Sequence, residues 1–211
     1  VEEPAQVIRL YRARFSTNVE RVALALALKG LAAESVWIDY ADRSEVERIS
    51  GQGFVPVLDY DGEIVADSMA IVRFLDARHP DPPLYPADPA RRAELLVFVE
   101  WFNGVWKLAP NAIEAELGRE APDRAAIAAL GKRMVAALDL FEDMLDKRRY
   151  LMGDELTAAD LAAFPFLKYA ALHDPADDEL FHLILRDHQR DGRSRPRLLE
   201  WIAAVDQLDR A

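Results

Sequence analysis

The sequence predicts two domains of different class, an α/β N-terminal half followed by an all-helical C-terminal half. Three observations predict it. A strand–helix–strand pattern lies near the N-terminus, and an Asp-Gly turn joins two short apolar strands after it. A proline-rich stretch then follows, beyond which the long apolar patterns have helical period.

The elements follow in order. Residues 7–11 carry Val7, Ile8 and Tyr11 and read as a strand. Residues 17–29 read as a helix: Thr17 and Glu20 have capping-box spacing, Ala and Leu fill the body, and Gly30 is a C-terminal stop. Residues 35–39 form a second strand, and right-handed crossover makes the two strands parallel. A short helix over 43–49 comes next, then strands at 57–59 and 63–65 around Asp61-Gly62. Ser68, Ile71, Val72 and Leu75 fall on one face of a helix over 67–79. The order βαβ-α-ββα is the thioredoxin-like topology, and it occupies 1–80.

Pro80, Pro82, Pro83, Pro86 and Pro89 forbid a continuous helix, so 81–90 reads as a semi-rigid linker. The rest, 91–211, reads as helical. A helix or helix pair covers 91–117, with a kink expected at Pro110. Ile127, Leu130, Met134, Leu138, Phe141 and Leu145 recur at spacings of three and four. Thr157 and Asp160 open another helix with an Asp form of the capping box, and 198–208 makes the last.

Composition excludes several classes. The chain of 211 residues contains no cysteine, which removes disulfides, zinc-thiolate sites, cysteine nucleophiles and dithiol redox chemistry. No metal site is expected, because the four histidines show no ligand spacing. A net charge of −11, shared by both halves, opposes nucleic acid and anionic membranes as partners. Arg190, Arg193, Arg195 and Arg197 are the exception and read as a solvated turn. No apolar run is long enough to span a bilayer, and the acidic start at 1–4 does not suggest a signal peptide; the lack of cysteine makes a reducing cytoplasm the expected setting.

Four places could carry chemistry. Ser16, Thr17 and Asn18 stand where the first strand meets the first helix. A helix N-terminus favours an anion such as a thiolate, and a hydroxyl can donate to it. Lowering a thiol pKa by two units needs roughly 2.7 kcal/mol. A helix end supplies roughly 0.3–2 kcal/mol and a hydrogen bond to a charged group roughly 1.5–3 kcal/mol, so the two together suffice. Simple capping explains the same residues, and both hold if Thr17 caps while Ser16 faces a ligand. Val55-Pro56 precedes the third strand, where a cis bond would leave the Val55 N–H and C=O free for an extended peptide. Asp67-Ser68 opens the third helix, where Ser68 suits a carboxylate and Asp67 an ammonium; an ordinary Asp cap is the alternative. Trp101, Phe102 and Trp106 either wall an apolar pocket or belong to the core.

In this order and spacing the pieces resemble the cytosolic glutathione transferase superfamily over nearly the whole chain. The carriers are Phe15-Ser16-Thr17-Asn18-Val19-Glu20-Arg21-Val22, Gly53-Phe54-Val55-Pro56-Val57-Leu58, Ile64-Val65-Ala66-Asp67-Ser68 and Leu156-Thr157-Ala158-Ala159-Asp160. The resemblance implies an enzyme that activates the thiol of glutathione, its co-substrate, for attack on a small hydrophobic electrophile. It implies Ser16 as the catalytic hydroxyl, with Tyr11 as the rival. Thr17, Asn18, Gln52, Phe54, Val55, Pro56, Asp67 and Ser68 would bind glutathione, and Phe15, Trp101, Phe102 and Trp106 would line an electrophile pocket. It further implies a homodimer. Phe54 stands where lysine is commoner in the family, which leaves Gln52 or Arg43 to hold the glycyl carboxylate. A non-catalytic thiol-peptide-binding module of the same fold is the alternative.

Overall fold

The computed structural model describes residues 7–211, so the acidic start at 1–4 lies outside the described residues. The chain divides into two compact units, the first running through Tyr85 and including Leu208–Ala211, the second spanning Pro86–Gln207.

The first unit contains β1 (Ile8–Arg12), α1 (Thr17–Leu28), β2 (Glu34–Trp37), α2 (Ser44–Ser50), β3 (Val57–Tyr60), β4 (Glu63–Ala66) and α3 (Ser68–Arg78). The sheet order is β2-β1-β3-β4, with β1 and β2 parallel and the other pairings antiparallel. The Asp-Gly signal becomes a tight hairpin: Asp61 and Gly62 have φ of 52° and 89°, the left-handed pair that matches the twist of the flanking strands. Leu10, Val22, Leu24, Leu26, Leu58, Ile71 and Leu75 are fully buried or nearly so and make the core.

The proline-rich stretch is less of a spacer than its composition predicts. Lys29 Nζ donates to Asp76 Oδ1 at 2.7 Å and to the carbonyl of Pro82, while the same Asp76 oxygen accepts the Leu84 N–H at 2.7 Å. Leu84 and Tyr85 are buried, so residues expected in a linker from 81 onward are folded into the first unit. The C-terminal residues belong there too: the Ala211 N–H donates to the Ala23 carbonyl, Arg12 Nη1 to the Ala211 carbonyl, and Arg210 to Glu20.

The second unit contains α4 (Pro89–Trp101), α5 (Leu108–Leu117), α6 (Arg124–Met144), α7 (Ala158–Leu167), α8 (Leu180–Gln189) and α9 (Pro196–Asp206). Asp88 caps α4 with Pro89 in its first turn, where a missing N–H costs nothing. The break expected at Pro110 occurs earlier, as a π-helical turn over Phe102–Trp106. Proline clashes with the carbonyl four residues before it, here Trp106, and a widened turn ending at Trp106 relieves that clash. Pro110 itself sits in the first turn of α5.

The α7 helix is buried along its whole length and carries the expected capping box. Asp160, fully buried, accepts the N–H groups of Leu151 and Thr157, the Thr157 hydroxyl and the Trp201 indole N–H. Burial pushes its carboxyl up while these donors oppose the shift. The arginine stretch is an exposed turn over 190–194, as composition predicts, but its cations are paired and Arg195 is buried. Arg193 and Arg195 bond Asp139 on α6 and Asp191, Arg197 bonds Glu142 and Asp146, and Arg190 bonds the carbonyls of Tyr169 and Ala171. Arg193, Arg195 and Arg197 tie the α8–α9 turn to α6 and the residues just after it, and Arg190 ties it to the chain that follows α7. No helix among the described residues is long and apolar enough to cross a membrane.

Candidate active site

Strand register brings three loops to one end of the sheet. Tyr11 pairs with Val57, so the chain leaving β1 toward Ser16 lies beside the chain entering β3 through Val55-Pro56. Val57 also pairs with Ala66, which sets Asp67 across from the same entry. Two residues there have left-handed backbones, Phe15 at φ 61° and Asp67 at φ 74°. Each stands just before the N-terminal region of a helix, and such outliers in bulky or charged residues concentrate at functional sites.

Ser16, half-buried, is the N-cap of α1, its Oγ accepting the Val19 N–H at 3.4 Å. This corrects the expectation that Thr17 caps: Thr17 is the first helical residue and is buried, so its hydroxyl is not in the capping position. The cap bond is long, and it uses a lone pair of Ser16 rather than its proton. Among the described residues, the Ser16 O–H and the Thr17 and Asn18 N–H groups find no acceptor. Tyr11, the rival, packs in the core with Val46 and Val57 at 6% exposure.

The Val55-Pro56 bond is cis. Neither the N–H nor the C=O of Val55 has a hydrogen-bond partner among the described residues, and Val55 is half-buried while Pro56 is buried. The loop before them is braced from within. Gln52 Oε1 accepts the Phe54 N–H at 2.6 Å, and its Nε2 donates to the Phe54 carbonyl and to Ser50 Oγ. The Gln52 amide is therefore spent on its own loop. Arg43 donates Nη1 to the Gly53 carbonyl and Nε to the Tyr40 carbonyl, and its Nη2 has no acceptor among the described residues. Phe54 is 72% exposed.

At the third helix Asp67 is the N-cap, one carboxylate oxygen accepting both the Met69 and Ala70 N–H groups, near 3 Å each. Ser68 is the first helical residue, and among the described residues its N–H and O–H have no acceptor. Its Oγ instead accepts from Arg21 Nη1 at 3.2 Å, and the same nitrogen donates to Asn18 Oδ1 at 3.2 Å. Arg21 is 2% exposed; burial pushes its guanidinium down to about 9, against the pull of the Asp67 carboxylate, so it stays charged at neutral pH. Arg21 is a site residue that sequence reasoning passed over. Its signal was available: a lone cation between Val19 and the apolar run that starts at Val22.

Of the aromatic residues expected to line a pocket, Phe102 is corrected. It is fully buried, stacked on Trp106 at 4.6 Å and packed edge-on to Phe141 and Phe166, which makes it core of the helical unit. Trp101 and Trp106 line a cavity of about 120 Å³ with Val105, Ala109, Arg133, Met134 and Ala137. That volume is below the roughly 300 Å³ at which ligand pockets begin. Phe15 lies half-buried beside Ser16, with the Arg14 guanidinium 4.6 Å from its ring centroid.

Residues 10–83 match the family model of the glutathione S-transferase N-terminal domain, and residues 124–204 match that of the C-terminal domain. The glutathione S-transferase GstB of Escherichia coli K12 is 32% identical over 170 residues, which cover 76% of this chain and 82% of the relative. The chain belongs to the glutathione S-transferase family. A probable maleylacetoacetate isomerase of Caenorhabditis elegans is 30% identical over 161 residues, 70% of this chain and 71% of the relative. Among solved structures, a glutathione S-transferase from Rhodospirillum rubrum F11 superposes with a TM-score of 0.73 at 32% identity, covering 95% of this chain and 88% of that one. A glutathione S-transferase from Methylobacillus flagellatus, solved with glutathione bound, gives a TM-score of 0.75 at 26% identity over 93% of both chains. These similarities favour a glutathione S-transferase-like enzyme over a non-catalytic module of the same fold.

Proposed function

We propose that this enzyme binds glutathione along the sheet end described above and activates its thiol for attack on a small hydrophobic electrophile. Three sets of unpaired groups carry the reading: the Ser16 hydroxyl, the Val55 backbone, and the N–H and O–H of Ser68. They match the thiol, the cysteinyl backbone and the γ-glutamyl carboxylate of an extended peptide, in that order. The exposed Asp67 carboxylate suits the γ-glutamyl ammonium. Arg43 rather than Gln52 is assigned the glycyl carboxylate, because Arg43 keeps Nη2 free.

Chemically, the helix end and the Ser16 O–H stabilise sulfur as a thiolate. The thiolate attacks the electrophilic carbon, forming a carbon–sulfur bond as the leaving group departs with its electron pair. Isomerisation would begin from the same thiolate. Phe15, beside Ser16, offers an apolar surface to the electrophile. The protein is further assigned as a homodimer, checked by light scattering.

A thermal-shift titration tests binding. Glutathione at a hundred times its Kd adds about 2.7 kcal/mol of stability and raises Tm by several degrees. An unchanged Tm at millimolar glutathione overturns the reading.

A further inference from the structure

Arg21 is a cation in a place that packing alone would fill with an apolar side chain. It is 2% exposed, and its neighbours Val22, Ala23, Leu24, Ala25 and Leu26 are fully buried. Taking an ion out of water costs several kcal/mol, so a buried guanidinium implies work for its charge or its hydrogen bonds.

That work follows from donor and acceptor polarity. Arginine only donates, so the atom of Asn18 that faces it is the amide oxygen, and the Asn18 NH₂ turns the other way. The Ser68 oxygen likewise uses a lone pair on Arg21, and its own proton must be given elsewhere. Among the described residues neither that proton nor the Ser68 N–H meets an acceptor. One nitrogen with two hydrogens thus fixes two amphoteric groups, at the starts of α1 and α3, as donors to other partners.

We propose that Arg21 is a positioning residue that sets Asn18 and Ser68 as hydrogen-bond donors, giving the enzyme its selectivity for a peptide with an α-carboxylate on its γ-glutamyl unit. The inference rests on the assignment of that carboxylate to Ser68. Arg21 does not touch the thiol, so its influence falls on ligand affinity and KM rather than on the chemical step.

The test compares two ligands by calorimetry: glutathione, and 4-aminobutyryl-cysteinyl-glycine, which lacks only that carboxylate. The wild-type enzyme prefers glutathione. Arg21→Met reduces the preference by about tenfold, the value of one charge-acceptor hydrogen bond, and leaves the analogue's affinity within about twofold. KM for glutathione rises accordingly while kcat at saturation is kept. Arg21→Lys, which retains a cation but not the planar two-acceptor reach, gives an intermediate preference. Should Arg21→Met fail to fold, the arm is Arg21→Lys with Ser68→Ala: alone each lowers the preference, and together they lower it by less than the sum of the two losses, because the part of Arg21's effect that runs through Ser68 is already gone. Equal weakening of both ligands, a fall in kcat at an unchanged preference, or additive losses in the double variant overturns the inference. A wild-type enzyme that binds glutathione without favouring it over the analogue overturns the carboxylate assignment, and one that binds neither ligand overturns the glutathione reading; the inference falls with either.

Discussion

Replacing Ser16 with alanine separates thiol activation from helix capping. The substitution removes a donor to sulfur worth about 1.5–3 kcal/mol in a charge-assisted bond. At about 1.36 kcal/mol per pKa unit, the bound thiol rises by about one to two units. Starting from a bound thiol held near 6.5, about two units below a free one, the thiolate fraction at pH 7 falls roughly three- to twenty-fivefold. The same substitution removes the cap, which costs about 0.5–2 kcal/mol, and the 3.4 Å cap bond puts the loss at the low end. Ser16→Gly is the control for stability, because glycine at an N-cap costs only a few tenths of a kcal/mol while lacking the hydroxyl. Ser16→Thr retains a hydroxyl and should recover much of the activity. Bound thiolate is followed by its ultraviolet absorbance against pH, and conjugation of a model electrophile gives the pH–rate profile. In both, the Ser16→Ala midpoint should move to higher pH, and Ser16→Gly should move with it. Midpoints that stay with the wild type refute the assignment of the thiol to Ser16.

Three further outcomes follow from the geometry. Tyr11→Phe leaves the pH–rate midpoint in place, because that ring is core; a shift like that of Ser16→Ala would move the hydroxyl role to Tyr11. Gly131→Ala places a Cβ 2.3 Å from His188 Nδ1 on α8, so the ring must move and urea unfolding should report a loss of about 1–3 kcal/mol. His188→Ala in the same chain should restore much of that loss, and no restoration would argue against this contact as the cause. Asp191 titrates with a sign that can be worked out. Hydrogen bonds from Arg195 and Arg193 hold its carboxyl well below the usual carboxylate range, so below about pH 4 the unfolded chain binds the proton first. Its stabilisation is complete above that pH and is lost as the pH falls toward the folded value. Asp191→Asn should flatten that part of the acid-unfolding curve measured by circular dichroism; an unchanged slope there would count against the clamp.

Much of the N-terminal unit was legible because its signals are local. Alternating and β-branched residues, Asp61-Gly62, Gly30 and the Asp67 cap each specify backbone shape within a few residues, and the elements fall within two residues of their expected ends. Thr157 with Asp160 was legible for the same reason. Periodicity also marked most of the buried face of α6 but not Gly131, whose reason lies on another helix. The α8 helix was not singled out at all.

The sequence by itself determined the order of elements, the two domain classes, the absence of thiol chemistry from the protein's own side chains, and which loops could hold a peptide. Only the tertiary structure decided that Ser16 rather than Thr17 caps α1, that Phe102 and Tyr11 are core, that Gln52 is spent on its own loop, and that the arginines after α8 are paired. Above all, it decided that Arg21 joins Asn18 to Ser68. The physical reason is range. Caps, turns and periodicity are set by neighbours along the chain, whereas the partner of a polar side chain is set by whatever packing brings to within about 3 Å, and here that partner lies 47 positions away.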